Sequence, residues 1–280
     1  MEQVLIKVIE DTIQITALVT LMMIVIDLVN LWTKGKIGNL LQKKGKYRQY
    51  YITSLIGTVP GCFGGFTNVS LYMHGLISFG ALSGSMISVS GDEAFVMLAM
   101  FPKTALILFM ILFVIGTLGG RITDIFVKRF KIATCNDCDQ LIIHDTERNL
   151  KHFLKEHIFE HIIKKHIWKI ALWTFGALIV VEISLKYFNL QDFTSNYMIV
   201  FLFAAALVGL IPESGPHLLF VTLFAGGLIP FSVLLTSSIV QDGHGMLPLL
   251  SYSLKDSIKI KLFNFVIGLS LGLILFALGM

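Results

Sequence analysis

Apolar runs of roughly twenty residues recur along the chain, the length an α-helix needs to cross a ~30 Å hydrocarbon core. The first covers 13–32, and others cover 49–60, 63–88, 91–101, 104–124, 168–188, 197–212, 215–239, 243–253 and 262–280. What remains between them is too little to clothe a soluble surface. Charged residues make up 14% of the chain and aliphatic, aromatic and cysteine residues 55%, whereas an ordinary soluble domain carries about 25% charge. The expectation is an all-α polytopic membrane protein of about ten transmembrane segments. No small-residue cleavage site follows the first run, so it reads as a retained span and not a signal peptide. Three cysteines make no disulfide framework. A net charge of +4 dispersed over loops argues for membrane topology and against a nucleic-acid partner.

The segments fall into three blocks: a first membrane repeat (1–124), a basic loop containing His and Cys (125–167) and a second membrane repeat (168–280). Lys34, Lys36, Lys43, Lys44, Lys46 and Arg48 crowd the first loop, and Lys255, Lys259 and Lys261 precede the last run. In a ten-span arrangement both groups fall on the same side as the basic central loop. The segment 189–196, on the other side, has no Lys or Arg. The positive-inside rule then places 125–167 in the cytoplasm and both termini outside, with Lys103 the lone exception.

An offset of 152 superimposes the two halves without a gap. Gly57/Gly209, Pro60/Pro212, Val69/Val221, Gly75/Gly227, Phe79/Phe231, Leu82/Leu234, Ser85/Ser237, Gly91/Gly243 and Lys103/Lys255 are among the matched pairs. Chance apolar matching accounts for aliphatic pairs more easily than for shared Pro, Gly and Ser. Each half holds an odd number of spans, so the second inserts upside down relative to the first. Such inverted-topology repeats place a transporter's site at their interface near the membrane midplane. The repeated runs are also broken. Pro60-Gly61 and Pro212 interrupt them, and Gly91 and Gly243 restart them. The short stretch that follows Gly91 is about half a bilayer long as a helix, the mark of a discontinuous helix beside a binding site.

Ionisable side chains in hydrocarbon are costly and need a reason. Here they gather at the breaks: Asp92 and Glu93 at the first restart, Gln241, Asp242 and His244 at the second, Glu213 and His217 after the second proline, and Asn68 a turn beyond Gly61–Gly65, which follows the first. The halves keep one backbone plan but carry different ligands, as one asymmetric site between two related halves would. Carboxylates, amide oxygens and imidazole with no thiolate pair suit a hard-to-borderline divalent cation such as Mn²⁺, Fe²⁺ or Zn²⁺. Asp27 and Glu182, in the first and sixth runs, are candidates for gating or proton coupling, or for structural roles.

In the central loop, Cys135 and Cys138 precede His157 and His161 in the order of a zinc site, but with a separation beyond usual finger spacing. A peripheral metal site and a solvated helix at the membrane interface both fit this segment. His157 to His161 also spells a short metalloprotease pattern, without any surrounding catalytic domain.

Residues 59–105 and 211–253, with the strings GDEAFVMLA and SSIVQDGHGMLPLL, resemble the bacterial family of ten-transmembrane heavy-metal exporters, whose members are called manganese transporters or arsenic-efflux proteins. The resemblance implies a multi-pass protein of the bacterial inner membrane that expels a metal or metalloid, manganese being the better guess. The expectation is therefore a secondary transporter and not an enzyme. Its partners would be the lipid bilayer, the transported ion and protons, with no permanently bound cofactor. No GxxxxGK[ST] string is present for ATP hydrolysis by a P-loop. Alternatives are an arsenic oxyanion as cargo, a membrane-embedded metal hydrolase, and a metal-sensing scaffold.

Overall fold

The computed structural model describes residues 46–61, 63–73, 75–134, 197–212, 215–246, 249–250 and 253–279, with scattered positions within 5–17 and 168–179. Among these residues the regular structure is helical. The first half contributes α1 (Lys46–Gly57), α2 (Phe63–Met73), α3 (Phe79–Ser88), α4 (Glu93–Met100) and α5 (Pro102–Arg129). The second contributes α6 (Met198–Gly209), a 3₁₀ turn (Gly215–His217) running into α7 (Leu218–Ala225), α8 (Phe231–Val240), a second 3₁₀ turn (Gly243–Met246) and α9 (Leu254–Ala277).

The repeat seen in the sequence is also a repeat of structure. At the same offset α1 coincides with α6, α2 with the first 3₁₀ turn plus α7, and α3 with α8, at both ends of each; α5 and α9 begin at equivalent residues. The punctuation recurs as well. Gly75 and Gly227 have φ of 67° and 69°, and Gly91 and Gly243 have 57° and 52°, the left-handed region that glycine enters without steric cost. Gly75 donates to the Tyr72 carbonyl and Leu76 to that of Leu71, both at 2.9 Å. Gly227 and Leu228 repeat this with Phe224 and Leu223, again at 2.9 Å. This paired-bond ending satisfies the last carbonyls of a helix and stops it.

Two readings of the sequence are corrected here. The runs 63–88 and 215–239 are not continuous, because the glycine endings divide each into two short helices. A helix of ten residues is about 15 Å long, half a bilayer core. The last span begins at Leu254, well before residue 262, so Lys255, Lys259 and Lys261 lie within a helix and not in a preceding loop. Ser253 caps that helix by accepting from the Asp256 amide at 3.4 Å.

α5, with 28 residues, and α9, with 24, are long and apolar enough to cross a membrane. Only 39% and 22% of their most apolar stretches are buried, so most of that surface faces outward, as lipid-facing helices require. The two helices run antiparallel. Lys259 bonds to the Ala133 carbonyl, the Phe263 ring meets that of Phe126 at 5.5 Å, and Ile267 packs at Gly119, so residue numbers rise on one helix as they fall on the other.

Small residues let α3 and α5 approach closely. A Cβ added to Gly84 would lie 2.8 Å from the Cα of Gly120. In the second half Gly268 and Gly272 on α9 receive Val240 and Thr236 of α8 in the same way. The cores are exchanged between halves. Val69, Leu82 and Met86 pack with Met246 and Leu249 of the second repeat. Their counterparts Val221 and Leu234 pack with Ala94 and Met97 of the first. Each half is therefore completed by the segment that follows the break in the other.

Candidate ion site at the repeat interface

The helix breaks meet at one place. The Gly61 amide donates to the Gly91 carbonyl at 3.0 Å, tying the two breaks of the first repeat by an antiparallel bridge. Gln241 Nε2 donates to the Val89 carbonyl at 3.0 Å, and these residues are separated by 152, the repeat offset itself. The break of the second repeat is thus joined to that of the first at residues 241 and 89, and α3 packs against α8.

Asn68, Asp92, Glu93, His217, Gln241 and Asp242 are all buried. Asn68 Nδ2 donates to the Thr53 carbonyl at 2.9 Å, and the Nδ1 of His217 lies 3.3 Å from Ser237 Oγ. Their other polar atoms, Asn68 Oδ1 and His217 Nε2, make no hydrogen bond of good geometry among the described residues, and neither do Glu93 Oε2, Gln241 Oε1 and Ser90 Oγ. Leaving a buried polar atom unpaired costs about 1–3 kcal/mol. Native structures tolerate few such atoms, and a group of them asks for a ligand.

A Cβ added to Gly65 would lie 2.7 Å from the Cα of Gly245, so the backbones of α2 and the second 3₁₀ turn touch. The repeat offset carries Gly65 onto His217 and Glu93 onto Gly245. At the offset, His217 and Glu93 stand where that crossing has its two glycines, and α7 packs on α4. The Gly65–Gly245 crossing is sealed by backbone, whereas His217 Nε2 and Glu93 Oε2, at the equivalent positions, make no hydrogen bond of good geometry among the described residues.

Asp242 is different. Its Oδ2 lies 2.6 Å from Lys261 Nζ, and its Oδ1 accepts from Asn264 Nδ2 at 3.1 Å. Lys261 also donates to the Gly209 carbonyl at 3.1 Å, and Ser83 of α3 donates to Asn264 Oδ1 at 3.2 Å. Sequence reasoning assigned Lys261 to a loop and passed over Asn264. The signal that would have found them is the Pro102/Leu254 match, which starts the last helix early enough to enclose both.

Among the described residues no three His, Cys, Asp or Glu side chains converge to hold a metal. His244 lies in the second 3₁₀ turn, but its side chain is outside what is described. Glu213, Asp27, Glu182, Cys135, Cys138, His157 and His161 lie outside the described residues altogether.

A family model described as "Putative, 10TM heavy-metal exporter" matches residues 1–173 and again residues 140–279. No curated protein and no solved structure matches the chain.

Proposed function

This chain belongs to the ten-transmembrane heavy-metal exporter family, and from that premise we propose that it is a secondary transporter exporting a divalent cation, Mn²⁺ in first place. The observation that carries the reading is the set of unsatisfied atoms at the repeat interface: Glu93 Oε2, His217 Nε2, Gln241 Oε1 and Asn68 Oδ1. One carboxylate oxygen, one imidazole nitrogen and two amide oxygens form a mixed oxygen and nitrogen donor set, which suits Mn²⁺ better than a soft, thiolate-seeking ion. Glu93 and His217 are the proposed anchors. Asp92 and His244 flank them, and Asp242 is the neighbouring carboxylate. The family supports a bilayer and a heavy-metal substrate; manganese is this reading's own addition.

An inverted arrangement of the halves, each one a membrane repeat, accounts for the antiparallel course of α5 and α9, since equivalent spanning helices then run in opposite directions through the bilayer. With it go an inner-membrane location, the loop 125–167 in the cytoplasm and both termini outside. The cation enters as cargo, and its passage requires no bond-making step.

Flux into proteoliposomes is the test, with Mn²⁺, Fe²⁺, Zn²⁺ and arsenite offered to wild type, Glu93→Gln and His217→Ala. Wild type moves Mn²⁺, and each variant slows it at least about tenfold, the scale on which a metal site responds to a lost interaction. Unchanged Mn²⁺ flux in both variants removes the site. Arsenite flux without Mn²⁺ flux transfers the reading to metalloid efflux.

A further inference from the structure

The Lys261–Asp242 pair is a buried ion pair for which the backbone has no need, because the chain contains its own control. At the repeat offset Asp242, Lys261 and Asn264 correspond to Ser90, Phe109 and Leu112, and the first half builds the same break and the same long helix with those neutral residues. Phe109 and Leu112 sit in an apolar core. Desolvating two charges is so costly that a buried pair is often no better than apolar residues of similar size. An ion pair kept in one half only, within hydrocarbon, is a functional feature by default. It is also in the right place. Asp242 follows Gln241, whose side chain bonds to the carbonyl of its own repeat counterpart, Val89, where the two halves meet.

We propose that Lys261 is a tethered cation that neutralises Asp242 when the site is empty and is displaced from it by the cargo cation. Asp242 Oδ2 faces one positive group at 2.6 Å, and Asn264 holds Oδ1 at 3.1 Å, which fixes the carboxylate's orientation whichever cation it serves. When the ammonium moves off, the Gly209 carbonyl at 3.1 Å remains as an acceptor for it. In the empty carrier the Asp242 carboxylate is then never left without a counter-cation, and cargo and ammonium compete for that one anion. This rests on the cation-transport reading above and adds a residue that sets affinity and release.

The competition has a sign that a structural tie does not. Full-length protein in detergent is titrated with Mn²⁺ alone, and net and exchange fluxes are measured in proteoliposomes. Lys261→Met removes the competitor, so Mn²⁺ binds tighter by about tenfold, within the usual range of coupled binding. Exchange of Mn²⁺ for Mn²⁺ persists, while net efflux falls because the emptied site has no cation. Lys261→Arg keeps the charge and grips the carboxylate with a planar fork, so Mn²⁺ binds more weakly, again by about tenfold. The Arg variant preserves the pair and keeps the test decisive if Lys261→Met does not fold. Mn²⁺ affinity unmoved in the Arg variant, or net efflux restored to wild-type rates by Lys261→Met/Asp242→Asn, overturns the proposal. A wild type that binds no Mn²⁺ overturns it together with the transport reading.

Discussion

Asp124 and Glu93 are both buried acids, and their surroundings assign them opposite work. The Asp124 carboxylate accepts from the Tyr50 hydroxyl at 2.6 Å, the Ser78 hydroxyl at 2.5 Å and the Gly80 amide at 2.7 Å. It is satisfied, and it ties the start of α3 to α1 and α5. Its counterpart in the second half is Phe276, with Leu202 and Pro230 where Tyr50 and Ser78 stand. Asp124→Leu is expected to lower stability by about 3 kcal/mol, since it strands a buried hydroxyl and an amide. Thermal unfolding in detergent measures the loss, and Mn²⁺ affinity of the folded fraction should not move. Glu93→Gln should behave in reverse, with its unfolding temperature nearly kept and its flux lost, because Glu93 Oε2 has no partner among the described residues to lose. Burial of Asn68, Asp92, Glu93, His217, Gln241 and Asp242 was legible from their place beside Gly and Pro breaks in apolar runs. Which of them already had a partner was not. Lys261 is 19 residues beyond Asp242, and no local pattern records a pairing made by the folding of a helix back onto a break.

At the level of elements, breaks were legible where proline, glycine and charge coincide, as at Pro60-Gly61, Gly91 and Gly243. The breaks at Gly75 and Gly227 were hidden because Leu76, Ile77, Leu228 and Ile229 keep the hydropathy high through the turn. Only the left-handed backbone and its paired hydrogen bonds reveal them. Helix pairing has a similar lesson. Gly80 and Gly84 on α3 meet Gly116 and Gly120 on α5 through backbone contacts that leave no room for a side chain. Gly84→Ala places its Cβ 2.8 Å from the Gly120 Cα, and overpacking of that kind costs about 1–3 kcal/mol. Gly176→Ala, at a position where an added Cβ meets nothing within 4 Å among the described residues, is the control and should be neutral. Unfolding temperatures of the two variants side by side decide the point.

For the whole molecule, the exchanged cores make the halves interdependent. Met246 and Leu249 complete the core around Val69 and Leu82, and Ala94 and Met97 complete the one around Val221 and Leu234. Residues 1–150 and 151–280 expressed separately should therefore fail to accumulate as folded protein, while co-expression restores a complex that co-purifies. Accumulation of either half alone as a monodisperse, cooperatively melting species would contradict the exchange. The proposed inversion makes a second prediction. In a background cleared of its three cysteines, Lys131→Cys should react with an impermeant thiol reagent only from the cytoplasmic side. Gly279→Cys should react only from the outside. Labelling of both from one side would rule out opposite orientations.

The sequence by itself determined the helical class, the membrane setting, the two-fold repetition and the neighbourhoods where polar atoms enter the hydrocarbon. These follow from the lengths of apolar runs, from an offset, and from the cost of placing charge in lipid, all of which act on short stretches of chain. Only the tertiary structure decided that each half is finished by a segment of the other, that Gln241 meets the Val89 carbonyl, that Asp242 is held by Lys261, and that Glu93 Oε2 and His217 Nε2 are left without a hydrogen bond among the described residues. Those are pairings between residues remote along the chain. Their energies come from desolvation and close packing, which depend on what lies opposite a residue and not on its spacing from its neighbours.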